Sequence, residues 1–174
     1  MSHSNPVSIT VPDWSREEIE RGSWQPDRYL LRSIRGYQAA RARGGISSLI
    51  FRRFWVLSHR FWSAVNGTDI PINTRIAGGL SIPHPNGIVI HSDSVIGPNC
   101  LISQQVTLGG GSLAAPRLGV HVRIGPGAKI LGHITIGDYA VIRANSVVLS
   151  DVPPHATMEG IPAKIIREKD SLSP

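Results

Sequence analysis

This chain has a single cysteine, Cys100, in 174 residues. No intrachain disulfide framework can staple it, and a reducing compartment fits best. Long apolar runs are missing as well, and none approaches the length that crosses a bilayer. The opening residues, MSHSNPVSITVPDW, lack the basic start and continuous apolar stretch of a signal peptide. The expectation is a cytoplasmic protein. No Cys/His cluster stands at ligand spacing, so a metal site has no support. The net charge of +6 comes without any of the recognised nucleic-acid-binding motifs, which makes nucleic acid the least favoured partner.

The 18 glycines and 13 prolines are spread along the chain, a pattern of many turns rather than disorder. The charge is not evenly spread. Arg28, Arg32, Arg35, Arg41, Arg43, Arg52, Arg53 and Arg60 all fall in the first third. Such a surface suits a polyanion, an acidic membrane or a phosphorylated cofactor, and equally an ordinary solvated face. Residues 1–24 read as a loose polar arm punctuated by Pro6, Pro12 and Gly22. Residues 25–67 read as a helical pair. Asp27 is placed to cap the first helix, which Gly44 and Gly45 stop, and Ser47 or Ser48 to cap a second ending near Gly67. Tyr29, Leu30, Ile34 and Tyr37 form one apolar stripe; Leu49, Ile50, Phe54, Leu57 and Phe61 form another. Phe51, Trp55 and Trp62 interleave with Arg52, Arg53 and Arg60, which also fits a peripheral membrane helix; packing against neighbours is the preferred reading.

From Ile70 onward the apolar period becomes six. The rows are Ile70, Ile76, Ile82, Ile88; then Ile90, Ile96, Ile102, Leu108; then Leu118, Ile124, Ile130, Ile136, Ile142, Val148. Glycine follows the row residue at Gly97, Gly119, Gly125 and Gly137, and small or aliphatic residues recur four after it, from Cys100 to Ser146. Helices repeat near 3.6 and strands at 2. Six fits hexapeptide repeats, three to a coil, and roughly four or five coils follow from the length. The fold class is mainly β, a parallel β-helix over 68–152 behind a short α-helical extension, with a C-terminal tail at 153–174. The phase slips by two between Ile88 and Ile90, which predicts a bulge. It breaks again across GGGSLAAPR, which predicts a protruding loop near 109–117, the kind of element that carries function.

Several strings go beyond what the fold demands: DIPINTRI (69–76), PHPNGIVI (83–90), QQVTLGG (104–110), IGPGAKILGHITIG (124–137), ANSVVLSDVPPHAT (144–157) and GIPAKII (160–166). On these residues the chain resembles the hexapeptide acetyltransferases, specifically the serine acetyltransferase branch, over roughly 100 residues. The resemblance implies a left-handed β-helix, a homotrimer that stands alone or pairs into a hexamer, and acetyl-CoA held between subunits, with no metal. It implies a catalytic pair at His84 and Asp69, and a cofactor groove lined by Gly110, Pro126, Ala144, Thr157 and Lys164. Fifteen residues separate Asp69 from His84, close to one coil, a spacing that allows the two to come near each other in adjacent turns.

The chain also departs from that pattern. Ala115 stands where the branch carries a histidine in its glycine-rich loop, and Pro83 replaces an acidic residue beside the catalytic histidine. Both missing groups help to hold a charged amino acid. The short helical extension resembles instead the enzymes that acetylate exopolysaccharide sugars, of the colanic-acid type. The preferred expectation is therefore O-acetylation of a sugar hydroxyl of a polysaccharide or its precursor. Serine O-acetylation and a non-catalytic β-helix scaffold are the alternatives. Cys100 falls in an interior slot of the repeat, which argues against an acyl-cysteine intermediate.

Overall fold

In a computed structural model, residues 10–111 and 115–167 are described. Residues 1–9 of the arm, 112–114 of the expected loop and 168–174 of the tail lie outside the described residues. Two helices come first, α1 (Pro26–Arg43) and α2 (Ile46–Asn66). Thirteen short strands follow among the described residues; twelve stack in parallel into the three-faced prism that the hexapeptide period predicts, a left-handed β-helix as the resemblance implies.

The first face stacks β1 (Arg75–Ile76), β3 (Val95–Ile96), β6 (Arg117–Leu118) and β9 (Thr135–Ile136). The second stacks β4 (Leu101–Ile102), β7 (Arg123–Ile124), β10 (Val141–Ile142) and β12 (Thr157–Gly160), closed by the antiparallel β13 (Ala163–Arg167). The third stacks β2 (Val89–Ile90), β5 (Thr107–Gly109), β8 (Lys129–Leu131) and β11 (Val147–Val148). Register is strict: Ile102 lies under Ile124, which lies under Ile142 and then Met158. All fourteen residues of the three aliphatic rows are buried, and so are the corner residues Cys100, Val106, Val122, Ala128, Ala140 and Ser146. Glycine after the row residue has a steric cause. A Cβ on Gly97 would stand 2.2 Å from the Gly119 carbonyl oxygen of the next coil, and one on Gly125 would stand 2.7 Å from the Ala144 nitrogen.

The two-residue slip is an enlarged corner. Parallel bridges pair Ser81 with Leu101 and Val89 with Thr107. The lower coil therefore spends eight residues where the coil above spends six, and the extra pair falls in the turn that carries His84.

The helical extension differs from the sequence reading in three ways. Helix α1 starts at Pro26, with Gln25 rather than Asp27 as its cap residue, because proline suits the first helical position and leaves no N–H unpaired. Gly45, not a serine, precedes α2. The described part of the arm is also docked rather than loose. A 3₁₀ turn, Trp14–Glu17, places the Glu17 carboxylate 2.8 Å from the Arg35 guanidinium. Glu17 also accepts the Leu80 N–H at 3.1 Å, while Arg35 donates to the Ile76 and Ala77 carbonyls at 2.6 and 2.7 Å. This one ion pair ties arm, α1 and first coil together. Asn99 pins the arm further out, accepting the Asp13 N–H at 2.7 Å and donating to the Val11 carbonyl at 2.9 Å.

On α2, the face turned to α1 carries Trp55, which covers Gly36, and Trp62, which stacks on Tyr29 with centroids 4.7 Å apart. The stripe of Leu49, Ile50, Phe54, Leu57 and Phe61 faces outward and is exposed.

His59, on the inner face of α2, is buried with Nε2 unpartnered among the described residues. Burial pushes its pKa below the ordinary value of 6.5, with the Ile70 backbone pulling partly the other way. The folded chain then holds fewer protons than the unfolded chain just below pH 6.5. Stability due to neutral His59 is full above that pH and is lost as pH falls toward the lowered folded value. Thermal melts between pH 7.5 and 5.5 are expected to fall, and to fall less in His59→Gln; equal slopes would show that His59 does not govern this range.

Candidate functional site

One corner of the prism, between the second and third faces, gathers most of the expected site. Its turns stack tier on tier. Asn86 accepts the Gln105 N–H at 2.9 Å, Gln104 accepts that of Gly127 at 2.9 Å, and Pro126 accepts that of Asn145 at 2.8 Å. Each turn ends in a left-handed residue: Gly87, Gln105, Gly127 and Asn145. A Cβ at 127 would meet the Asn145 side-chain oxygen at 2.1 Å, so a larger residue there would displace that side chain. Lys129 braces the stack by donating to the Gln105 carbonyl at 2.7 Å.

His84 sits at the foot of this corner, exposed on the enlarged bend before Gly87. The eight-residue bend sets it off the aliphatic row. Asp69 stands at the same end, exposed, in a parallel bridge to Val89. Its N–H donates to the Ile88 carbonyl and its carbonyl accepts from Ile90, both at 2.8 Å. Among the described residues no hydrogen bond joins the His84 and Asp69 side chains. The coil brings the two residues to one end of the prism without closing the pair.

Pro126 and Ala144 lie in the third and fourth tiers of the same corner. Together with Ser103, Arg123 and Arg143 they line a shallow cleft of about 280 Å³. Thr157 follows on β12, in register with Val141 at the cleft wall. Lys164 lies beyond it on β13, exposed and opposite Glu159. Gly110 does not join them. It follows β5 and stands at the far edge of the third face, because strand 107–109 carries the chain away from the corner.

Sequence reading missed Arg123 and Arg143, two cations at the cleft. The signal was present: each adjoins a row residue, Ile124 or Ile142, and alternation turns such neighbours outward. Arg143 reaches Glu159 only at 4.0 Å with both side chains more than half exposed, so the pair leaves its charge available. The reading also missed a ring ladder on another corner, where Tyr139 stacks between His121 and His155 with centroids 5.1 Å apart on each side. Cys100 is buried, donates to the Gly119 carbonyl at 3.2 Å, and has its pKa pushed up to about 11, chiefly by burial. A thiol so placed holds almost no thiolate near neutral pH. Among the described residues no group of three or more His, Cys, Asp or Glu side chains is arranged to hold a metal.

Residues 116–150 match the family described as bacterial transferase hexapeptide (six repeats). The serine acetyltransferase of Escherichia coli K12 is 44% identical over 110 residues, which cover 61% of this chain and 40% of that one. That of Synechococcus elongatus is 42% identical over 106 residues, 59% of this chain and 43% of that one. A solved serine acetyltransferase in complex with CoA superposes with a TM-score of 0.68 at 36% identity, over 82% of this chain and 57% of that one. The Neisseria gonorrhoeae enzyme in complex with serine gives 0.65 at 35% identity, over 82% and 55%. The chain thus spans about two fifths of the length of its curated relatives, and its β-helix is serine acetyltransferase-like.

Burial and high pKa predict that Cys100 resists thiol reagents in the folded chain at pH 8 and reacts fully in guanidinium. Stoichiometric labelling of the native protein at the rate of a free thiol would contradict this placement.

Proposed function

We propose that the chain transfers an acetyl group from acetyl-CoA directly to an acceptor hydroxyl, with His84 as general base. The observation that carries this reading is the corner stack itself. His84 occupies the lowest tier, and the cleft lined by Pro126 and Ala144 the upper tiers. Three steps at about 4.8 Å each separate the ring's tier from that of Ala144 by about 14 Å along the axis. A linear substrate lying up the corner can therefore rest its far end in the cleft and bring its thioester to the imidazole.

A hydroxyl is a weak nucleophile at neutral pH until a base removes its proton. The His84 imidazole takes that proton as the oxygen bonds to the thioester carbonyl carbon. The C–S bond then breaks, and the leaving thiolate recovers the proton from the imidazolium. Asp69 is the group at hand to hold the imidazole and stabilise its charged form. Because no hydrogen bond joins the two among the described residues, substrate or a neighbouring subunit is needed to close the pair. Arg123, Arg143 and Lys164 are the cations suited to the donor's phosphates.

The reading includes a homotrimer. Gly110 lies across the third face from Pro126 and Ala144, so one chain cannot bring all three to one acetyl-CoA. The Gly110 edge of one subunit against the corner of the next can.

L-serine is the acceptor best supported, since the relatives and structural neighbours above are serine acetyltransferases. One observation favours a second reading, a sugar hydroxyl. Next to His84 stands the uncharged Pro83, and at the loop stands the buried, uncharged Ala115. Neither can pair with the charges of an amino acid.

Thiol release from acetyl-CoA, measured against L-serine, nucleotide sugars and oligosaccharides, separates the two. Turnover with serine alone is the expected result; turnover with sugars alone replaces it by the second reading. His84→Ala is expected to lower kcat by about 10²–10⁴-fold without lowering the melting temperature, because the side chain is exposed. An unchanged kcat would leave only a scaffold. Ala144→Trp, which fills the cleft, is expected to raise KM for acetyl-CoA at least about tenfold by blocking contacts along the donor, with the acceptor KM unchanged.

A further inference from the structure

All three phenylalanines of the chain lie on α2, and all three are more than half exposed. Ile50, Phe54, Leu57, Phe61 and Val65, spaced by three or four residues, share one outward stripe along the helix, with Ile50 at 71% and Leu57 at 66% exposure. The stripe is not a remnant of internal packing, because α2 already buries a separate aromatic face, Trp55 and Trp62, on α1. Contiguous apolar surface of this kind marks an interaction site.

Charge indicates the occupant. Helix α2 has no acidic residue anywhere between 46 and 66. At 100° per residue, Arg53 and Arg60 run along one edge of the stripe, and both are exposed. Arg41 and Arg43, also exposed, end the preceding helix. Pairing two copies through this stripe would set arginine near arginine, with no carboxylate on either helix to offset it. An anionic bilayer satisfies both features at once: the acyl boundary takes the apolar side chains, and lipid phosphates take the guanidinium groups. No described helix is long and apolar enough to cross a membrane. The face is therefore suited to lying on a bilayer rather than spanning it.

We propose that α2 is an interfacial helix that docks the chain on an anionic membrane surface, with Phe54, Leu57 and Phe61 in the headgroup–acyl boundary and Arg53 and Arg60 on phosphates. The proposal is independent of acetyl transfer and of its acceptor.

Flotation of the full chain with vesicles tests it, using phosphatidylcholine with and without about a third phosphatidylglycerol. The protein is expected to float with the anionic vesicles and not with the neutral ones, and to lose binding as salt rises. Arg53→Gln with Arg60→Gln is expected to weaken partition on the order of 30-fold. Leu57→Ser, an exposed change that should leave the melting curve intact, is expected to abolish flotation. Wild-type protein that stays at the bottom of the gradient at low salt overturns the proposal, as does equal binding to neutral vesicles. A Leu57→Ser chain that changes mass in lipid-free buffer while vesicle binding is unaltered also overturns it, and makes the stripe a subunit interface instead.

Discussion

Parallel coils stacked in fixed register are the constraint on which everything else rests. Each row residue must lie above its counterpart one strand spacing below, or the buried column opens. That requirement forbids drift. Extra residues are tolerated only where the chain leaves the column at a corner, and it is there that the two irregularities of the repeat are found. One enlarges the turn of His84. The other begins beyond β5, at Gly110. The regular coils act as a ruler, and the departures from it fall at the turn of His84 and beyond β5.

The same register explains why residues far apart in sequence form one site. Asn86, Gln104, Pro126 and Asn145 are links in a single backbone ladder. On the proposed reading, a substrate lying along that corner touches four turns of the chain. Arg123 and Arg143 reach the cleft because both adjoin row residues. Gly110 falls on the wrong side of the third face for the same geometric reason, and this is why the functional reading needs a second subunit.

Much of the fold was legible in the sequence, because period six has no competing interpretation once three rows hold phase. All the row residues are buried, and the slip between Ile88 and Ile90 falls at the turn that carries His84. The helical extension was less legible. Both faces of α2 are apolar, so periodicity identified a stripe without saying which face the chain itself would cover; Trp55 and Trp62 won because Gly36 and Tyr29 offer them flat partners. Docking of the arm rests on Glu17 meeting Arg35 and Leu80, contacts between segments that no local pattern connects. The proposed pair, His84 and Asp69, was legible as two motif positions, but not as a contact. Backbone pairing sets where Asp69 stands, while no hydrogen bond among the described residues joins its side chain to His84.

The central claim is that one corner binds the acyl donor and presents its thioester to His84. A crystal structure of the assembled protein with CoA tests it most directly. The account predicts that the CoA sulfur lies within hydrogen-bonding reach of the His84 ring, with the pantetheine arm running up past Pro126 and Ala144. A sulfur found beside the His121–Tyr139–His155 ladder, or anywhere beyond reach of His84, would contradict it.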